Sequence, residues 1–290
     1  MPVRIRRVLD HVRHDPKLAT GLVIVVGLLL LGPAGSLLVD EAGVRLGAGG
    51  FAEPPSVAHP LGTDTTGRDI LAMMVYGTAP TLQIGLLAGG IGTVVGVLLG
   101  LASGYYRGPV DTVIRGAADV MLTIPALAVL VVLAAFLQTR TVELMALVIA
   151  VFAWPWTARA VRSQTLTMRE AGYVLIARLS GRNGPAIVLF ELLPNLLPYV
   201  MATFVSAVSG SILAAVGLQL MGLGPITTPT LGLMLQDAFK YAAVVRGLWW
   251  WWGPPTLVLV LLFVGLFLVG SALDAIANPR LRRAIESPVT

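Results

Sequence analysis

Arg159–Asn195 reads RAVRSQTLTMREAGYVLIARLSGRNGPAIVLFELLPN, and it is the one long polar interruption in the second half of an otherwise apolar chain. Five arginines (Arg159, Arg162, Arg169, Arg178, Arg182) stand against two acids, Glu170 and Glu191. Basic residues clustered between apolar runs stay on the cytoplasmic side of a membrane, so this stretch is expected to face inward. At its centre Gly172 and Gly181 bracket YVLIARLS, a short helix ending at a glycine, as helices commonly do. About eight residues at ~1.5 Å each give roughly 12 Å, too short to persist alone in water. Tyr173, Val174, Leu175, Ile176 and Leu179 cannot all turn toward one membrane. The segment therefore needs something to dock on, either a groove in a partner protein or the lipid headgroups.

The composition around it is that of a polytopic membrane protein. Of 290 residues, 56% are hydrophobic and only 12% charged, where a soluble domain carries about 25% charge. Mean hydropathy is +0.85. Charge-free windows lie at Leu18–Val39, Ile70–Tyr106, Val120–Thr139, Leu144–Ala158, Leu192–Gln236 and Gly247–Leu273. A helical span needs about 20 apolar residues, so six spans are expected. The second window holds an amphipathic lead-in (Ile70–Tyr76) and a span near Thr81–Ser103. The fourth must extend past Glu143 or Arg159, and the fifth stops near Met221, where Gly222, Gly224 and Pro225 break the helix. The first run is too long for the apolar part of a signal peptide and is read as a retained span.

Orientation follows from the basic residues. With both termini inside, the inner segments hold 15 of the 20 lysines and arginines and the outer ones five: Arg45, Arg68, Arg140, Lys240 and Arg246. The opposite topology would reverse that bias. The resulting plan is a basic tail (1–17), a first span (18–39), an outer loop (40–80), a five-helix core (81–282) containing the inner loop 159–194, and a short tail (283–290). The net charge of +5 is thus an orientation signal, and no nucleic-acid partner is implied. The chain has no cysteine, which excludes disulfides and thiol chemistry.

Little else in the sequence suggests chemistry. In the outer stretch His59–Asp69 (HPLGTDTTGRD), Thr63 or Asp64 is expected to cap a helix that begins near Gly67, with Asp69 in its first turn. Helix capping explains these acids better than an acid/base pair, and the lone His59 before Pro60 reads as a turn or packing residue. No G-x-x-x-x-G-K-[ST], H-E-x-x-H or G-x-S-x-G occurs. Asp119, Glu143 and Asp274 lie at span ends, where interface or cap roles outweigh an ion relay. A bundle with no energy source of its own is passive or driven by a partner. Trp249 to Trp252 carry two readings. They form an aromatic belt before a helix started by Pro254 and Pro255, or their indoles face a substrate path. The outer loop Gly222–Gly253 is longer than a simple connection and either meets a binding protein or substrate or folds back to plug its own subunit.

The inner loop resembles the ATPase-coupling loop of ABC importer permeases, whose pattern is E-A-A, three residues, Gly, nine residues, then I-x-L-P. Ala177, Gly181 and Leu193-Pro194 fall at the required positions, whereas Leu175, Ile176 and Glu191 replace the family's Glu, Ala and Ile. Further matches run in order. They are His59-Pro60-Leu61-Gly62-Thr63-Asp64, Gly67-Arg68-Asp69, Tyr76-Gly77, Gly104-Tyr105-Tyr106, Asp111, Asp119, Pro125, Leu223-Gly224, Asp274, and Asn278-Pro279-Arg280-Leu281-Arg282. Together they are similar to the dipeptide/oligopeptide/nickel family of ABC importers, and to the second of its two permease subunits.

The resemblance implies an all-α fold of six transmembrane helices of the type I permease kind, in a prokaryotic cell membrane. It implies half a translocation path for dipeptides or oligopeptides, or for oligosaccharides, since the tryptophan-rich loop is more usual in importers of that kind. A nickel chelate, or a secondary carrier not powered by ATP, is the alternative. The implied partners are a second related permease, two cytoplasmic ATPase subunits and an extracytoplasmic binding protein. ATP and Mg would sit on the ATPases, with no cofactor in this chain. The coupling residues would be Tyr173, Leu175, Ile176, Ala177, Arg178, Leu179, Gly181, Leu193 and Pro194.

Overall fold

A computed structural model describes residues 15–225 and 227–277, and all its regular secondary structure is helical. The elements are α1 (Pro16–Gly35), α2 (Ile70–Tyr106), α3 (Gly108–Thr123), α4 (Ala126–Phe136), α5 (Val142–Met168), α6 (Gly172–Leu179), α7 (Gly184–Leu220), α8 (Leu231–Lys240) and α9 (Trp249–Ala277). Five of them (α1, α2, α5, α7, α9) are long and apolar enough to cross a membrane, and the count is six if the bent pair α3–α4 is one span. The closing motif at Asn278–Arg282 lies outside the described residues.

The bundle is organised on α2. Gly92, Gly96, Gly100 and Gly104 recur every four residues and so share one face, which α5 covers. A Cβ on Gly96 would sit 2.6 Å from Thr157 Cβ, one on Gly100 2.6 Å from the Ala158 carbonyl oxygen, and one on Gly104 2.6 Å from Thr165 Cβ. The backbones touch only because those side chains are hydrogen, which is how helices gain dispersion energy when hydrophobic exclusion is weak. Nearer the other end, Gly85 and Gly89 open the next face of α2 to Ile212 and Val208 of α7. The outlying α1 uses the same device on α9, where Gly21 and Gly265 oppose each other.

Several boundaries differ from the sequence reading for identifiable reasons. The lead-in and span expected over Ile70–Tyr76 and Thr81–Ser103 are one continuous helix of 37 residues. At ~1.5 Å per residue it is about 55 Å long, well beyond a ~30 Å hydrocarbon core. Pro80 does not break it, and Asp69 caps it: the Asp69 carboxylate accepts from Ala72 N–H at 2.8 Å, the role expected of Thr63 or Asp64. The third apolar window is not one straight helix, because α3 and α4 meet at 81° across Ile124 and Pro125. Proline has no N–H to continue the ladder and pushes the preceding residue to extended backbone, as seen at Ile124. The fourth window extends at both ends, to Val142 and Met168. Finally, α9 starts at Trp249, so the tryptophan run forms the first turn instead of preceding it.

The segment after α7 folds back onto its own helices. Leu231, Met234, Leu235 and Ala238 of α8 are buried with α2, α7 and α9, while Phe239, Val244 and Val245 remain exposed. Leu231 N–H donates to Thr81 Oγ1 at 2.9 Å, and Thr230 Oγ1 donates to Gln219 Oε1 at 2.8 Å. The α2 seam predicts that Gly96→Leu, which adds atoms where none fit, lowers stability by about 1–3 kcal/mol or prevents folding. Gly210→Ala, where a Cβ meets nothing within 4 Å, should leave the melting temperature in detergent unchanged or slightly raised.

Candidate functional site

The first site is built on α6. Val174 and Ala177 are buried in a cluster with Val97, Leu101, Val161, Ile187, Leu192 and Leu196. They lie three residues apart, so one face anchors the helix and the other is free. That free face carries Leu175, Ile176 and Leu179, which are 55%, 66% and 80% exposed, with Tyr173 at its edge. The apolar segment thus divides itself between an internal core and an uncovered surface. Leu175, standing where the family pattern has an acid, is on the uncovered side.

The end of α6 is a Schellman turn. Arg182 N–H donates to Ala177 C=O at 3.1 Å and Gly181 N–H to Arg178 C=O at 3.0 Å, with Gly181 at φ +77°. Only a residue without a Cβ takes that conformation at no cost. Arg178 and Arg182 are both engaged within the chain. The Arg178 guanidinium lies 5.4 Å from the Tyr105 ring centroid, and Arg182 pairs with Glu191 at 2.6 Å. Arg169 Nη1 donates to the Tyr105 carbonyl at 2.7 Å, so Tyr105 joins the ends of α2, α5 and α6. Leu193 packs against the α6 cluster, and Pro194 follows a π turn over Val188–Leu192. Pro194 cannot donate to Phe190, while Leu193 N–H reaches back to Val188 C=O and Asn195 Nδ2 takes the Glu191 carbonyl at 2.7 Å.

At the other end, the His59–Asp69 stretch forms a closed network. Asp64 is buried, accepting from Thr66 N–H at 2.7 Å, Arg68 N–H at 3.0 Å and Arg68 Nε at 2.7 Å. Arg68 Nη2 then donates to Asp237 of α8, a partner that sequence spacing does not reveal. Burial opposes the Arg68 charge, but the hydrogen bond to Asp237 and the charge of Asp64 outweigh it, so its pKa is raised above the ordinary value. His59 Nδ1 lies 2.6 Å from Asp69 Oδ2 and thereby braces the α2 cap, in keeping with a packing role. Pro60 is exposed. Gly62 (φ +71°) and Gly67 (φ +77°) turn the loop tightly, under Trp250 and Gly49 respectively.

The four tryptophans separate. Trp251 is buried and stacked on Tyr241 at 6.0 Å, and Trp250 Nε1 donates to Thr63 C=O at 3.3 Å. Trp252 is half-buried against the core, leaving Trp249 as the exposed member of the run. Among the described residues no three His, Asp or Glu side chains converge as a metal ion would need.

Residues 96–283 match the family model described as binding-protein-dependent transport system inner membrane component. The chain is 29% identical over 231 residues to the oligopeptide transport system permease protein OppC of Lactococcus lactis subsp. cremoris, covering 79% of this chain and 78% of that one. It is 32% identical over 227 residues to the dipeptide transport system permease protein DppC of Haemophilus influenzae, covering 78% and 76%. Identity to the glutathione transport system permease protein GsiD of Pectobacterium atrosepticum is 30% over 227 residues, covering 78% and 75%.

The Asp64–Arg68–Asp237 network predicts that Arg68→Ala, which strands the buried carboxylate of Asp64, costs about 3–5 kcal/mol. Arg68→Lys should recover only part of this, because one ammonium cannot span both acids in the fork geometry of a guanidinium. Thermal unfolding and proteolysis of the outer loop would read both.

Proposed function

Because the chain belongs to the family of inner-membrane components of binding-protein-dependent transport systems, we propose that it forms half of the translocation path of an ATP-driven importer of short peptides. The observation that carries this reading is α6, an eight-residue helix held by Val174 and Ala177 while Leu175, Ile176 and Leu179 face outward. Such a face fits the groove of a cytoplasmic ATPase. Movement there would reach α2, α5 and α7 through the cluster in which Val174 is embedded.

In this reading the chain pairs with a second, related permease, and two ATPase subunits bind ATP and Mg and hydrolyse the nucleotide. An extracytoplasmic binding protein delivers the substrate. This chain itself is not catalytic. Peptide-type substrates are favoured by the names of the similar permeases, which act on oligopeptides, dipeptides and glutathione. Oligosaccharide import has less support, since Trp250 and Trp251 are engaged in packing and do not form an open stacking surface.

The absent acid at Leu175 makes docking depend on apolar burial. One such side chain contributes ~1.5–3 kcal/mol when buried, against ~0–1 for an exposed ion pair. Ile176→Asp should therefore abolish stimulation of the ATPase and uptake, while Arg182→Ala leaves most of both. Gly181→Val should also uncouple, by about 1–2 kcal/mol of left-handed strain alone, since a Cβ there meets no neighbour within 4 Å. ATPase stimulation and peptide uptake by the assembled complex in vesicles would measure these effects. Wild-type stimulation in both Ile176→Asp and Gly181→Val would remove α6 from the coupling role.

A further inference from the structure

Between α2 and α7, at their α6 end, lies an apolar slot of about 160 Å³. Leu98, Ala102 and Tyr106 form one wall, and Val188, Leu189 and Leu193 the other. The Tyr106 hydroxyl is the one polar side-chain group in the lining. The slot owes its shape to the π turn. Val188 and Leu193 are five residues apart, which in a regular α-helix would put them on diverging faces. The wider π turn over Val188–Leu192, joined by the Leu193 N–H to Val188 C=O bond, brings both to one side.

We propose that this slot is a binding site for one acyl chain of a phospholipid, with its headgroup beside Tyr106 and Arg107. Two observations select this occupant. The slot is continuous with the apolar outer surface of the membrane-spanning helices: Leu98 and Leu189 at its rim are exposed, and the surface runs on through Val94 of α2 and Leu197 and Met201 of α7. A bilayer covers such a surface, and an unfilled groove within it forfeits the dispersion contacts of its walls. The charge at the open end is also complementary. Tyr106, in the lining, is half exposed, and the next residue, Arg107, is exposed and has no ion pair among the described residues, so a hydroxyl and a cation are available to a phosphate at the end of α2. Since Val188 and Leu193 also flank the α6 cluster, an acyl chain in the slot would brace the segment that follows α6. The inference needs only that the chain spans the membrane and is independent of the proposed substrate and coupling role.

The test uses the complete transporter, with its partner subunits, in vesicles containing phosphatidylglycerol that carries a photoactivatable diazirine on one acyl chain. Labelled peptides are mapped by mass spectrometry, with the exposed Val23 and Val26 of α1 as the bulk-lipid reference. Labelling at Leu98–Tyr106 and Pro185–Leu193 should exceed that reference by roughly tenfold, the preference that one decade of affinity gives. Ala102→Phe, which fills the slot, should bring labelling down to the reference while α1 labelling stays unchanged. Labelling of the wild-type slot at or below the reference overturns the proposal, and needs no variant to fold. So does an assembled Ala102→Phe complex with undiminished labelling.

Discussion

Close backbone contact along α2 is the constraint on which the other helices depend. In a bilayer, burying a leucine against a neighbour gains little over leaving it in lipid, so association rests on dispersion between well-fitted surfaces. Glycines at 92, 96, 100 and 104 remove the side chains that would hold α5 away, and Gly85 and Gly89 do the same for α7. Once α5 and α7 are seated, the ends of all three helices are placed. One set of ends receives α8, whose Leu231 N–H finds Thr81 on α2, and the opposite set receives α6.

The two ends solve opposite problems. The α8 end is tied by charge: Arg68 joins Asp64 of its own loop to Asp237 of α8, and Trp250 of α9 covers Gly62 and bonds to Thr63. Three separate segments of chain are thereby held together, and buried charges of this kind tolerate no missing partner. The α6 end is tied by apolar packing and leaves most of the α6 face uncovered. Its arginines are engaged within the chain, Arg178 on Tyr105 and Arg182 on Glu191, and the free face of α6 carries the exposed aliphatic side chains of Leu175, Ile176 and Leu179. A surface of that kind suits a partner that grips by shape and burial.

The membrane class, the approximate spans and the eight-residue inner helix were legible in the chain itself. Hydropathy over 20 residues needs no tertiary information, and glycines at 172 and 181 mark the ends of α6 by local backbone preference alone. The family was legible too, because motifs from His59 onward keep their order. The four-residue glycine spacing of α2 was equally visible, yet the sequence does not say which helix it receives. The break at Pro125 was not read from the chain, where Val120–Thr139 looked like one span, and its 81° angle depends on what α3 and α4 pack against.

Only the tertiary structure decided the pairings between distant residues. Asp69 took the cap expected of Thr63 or Asp64 because the left-handed turn at Gly67 carries the loop one step further before the helix starts. Asp237 is 169 residues from Arg68, and nothing local marks it as the partner of that arginine. The tryptophan run looked like one feature but became four environments, since successive residues in a helical turn point in different directions. Local backbone chemistry sets where helices begin and end; which side chains meet is set by the fit of whole surfaces, which a single chain read in order does not contain.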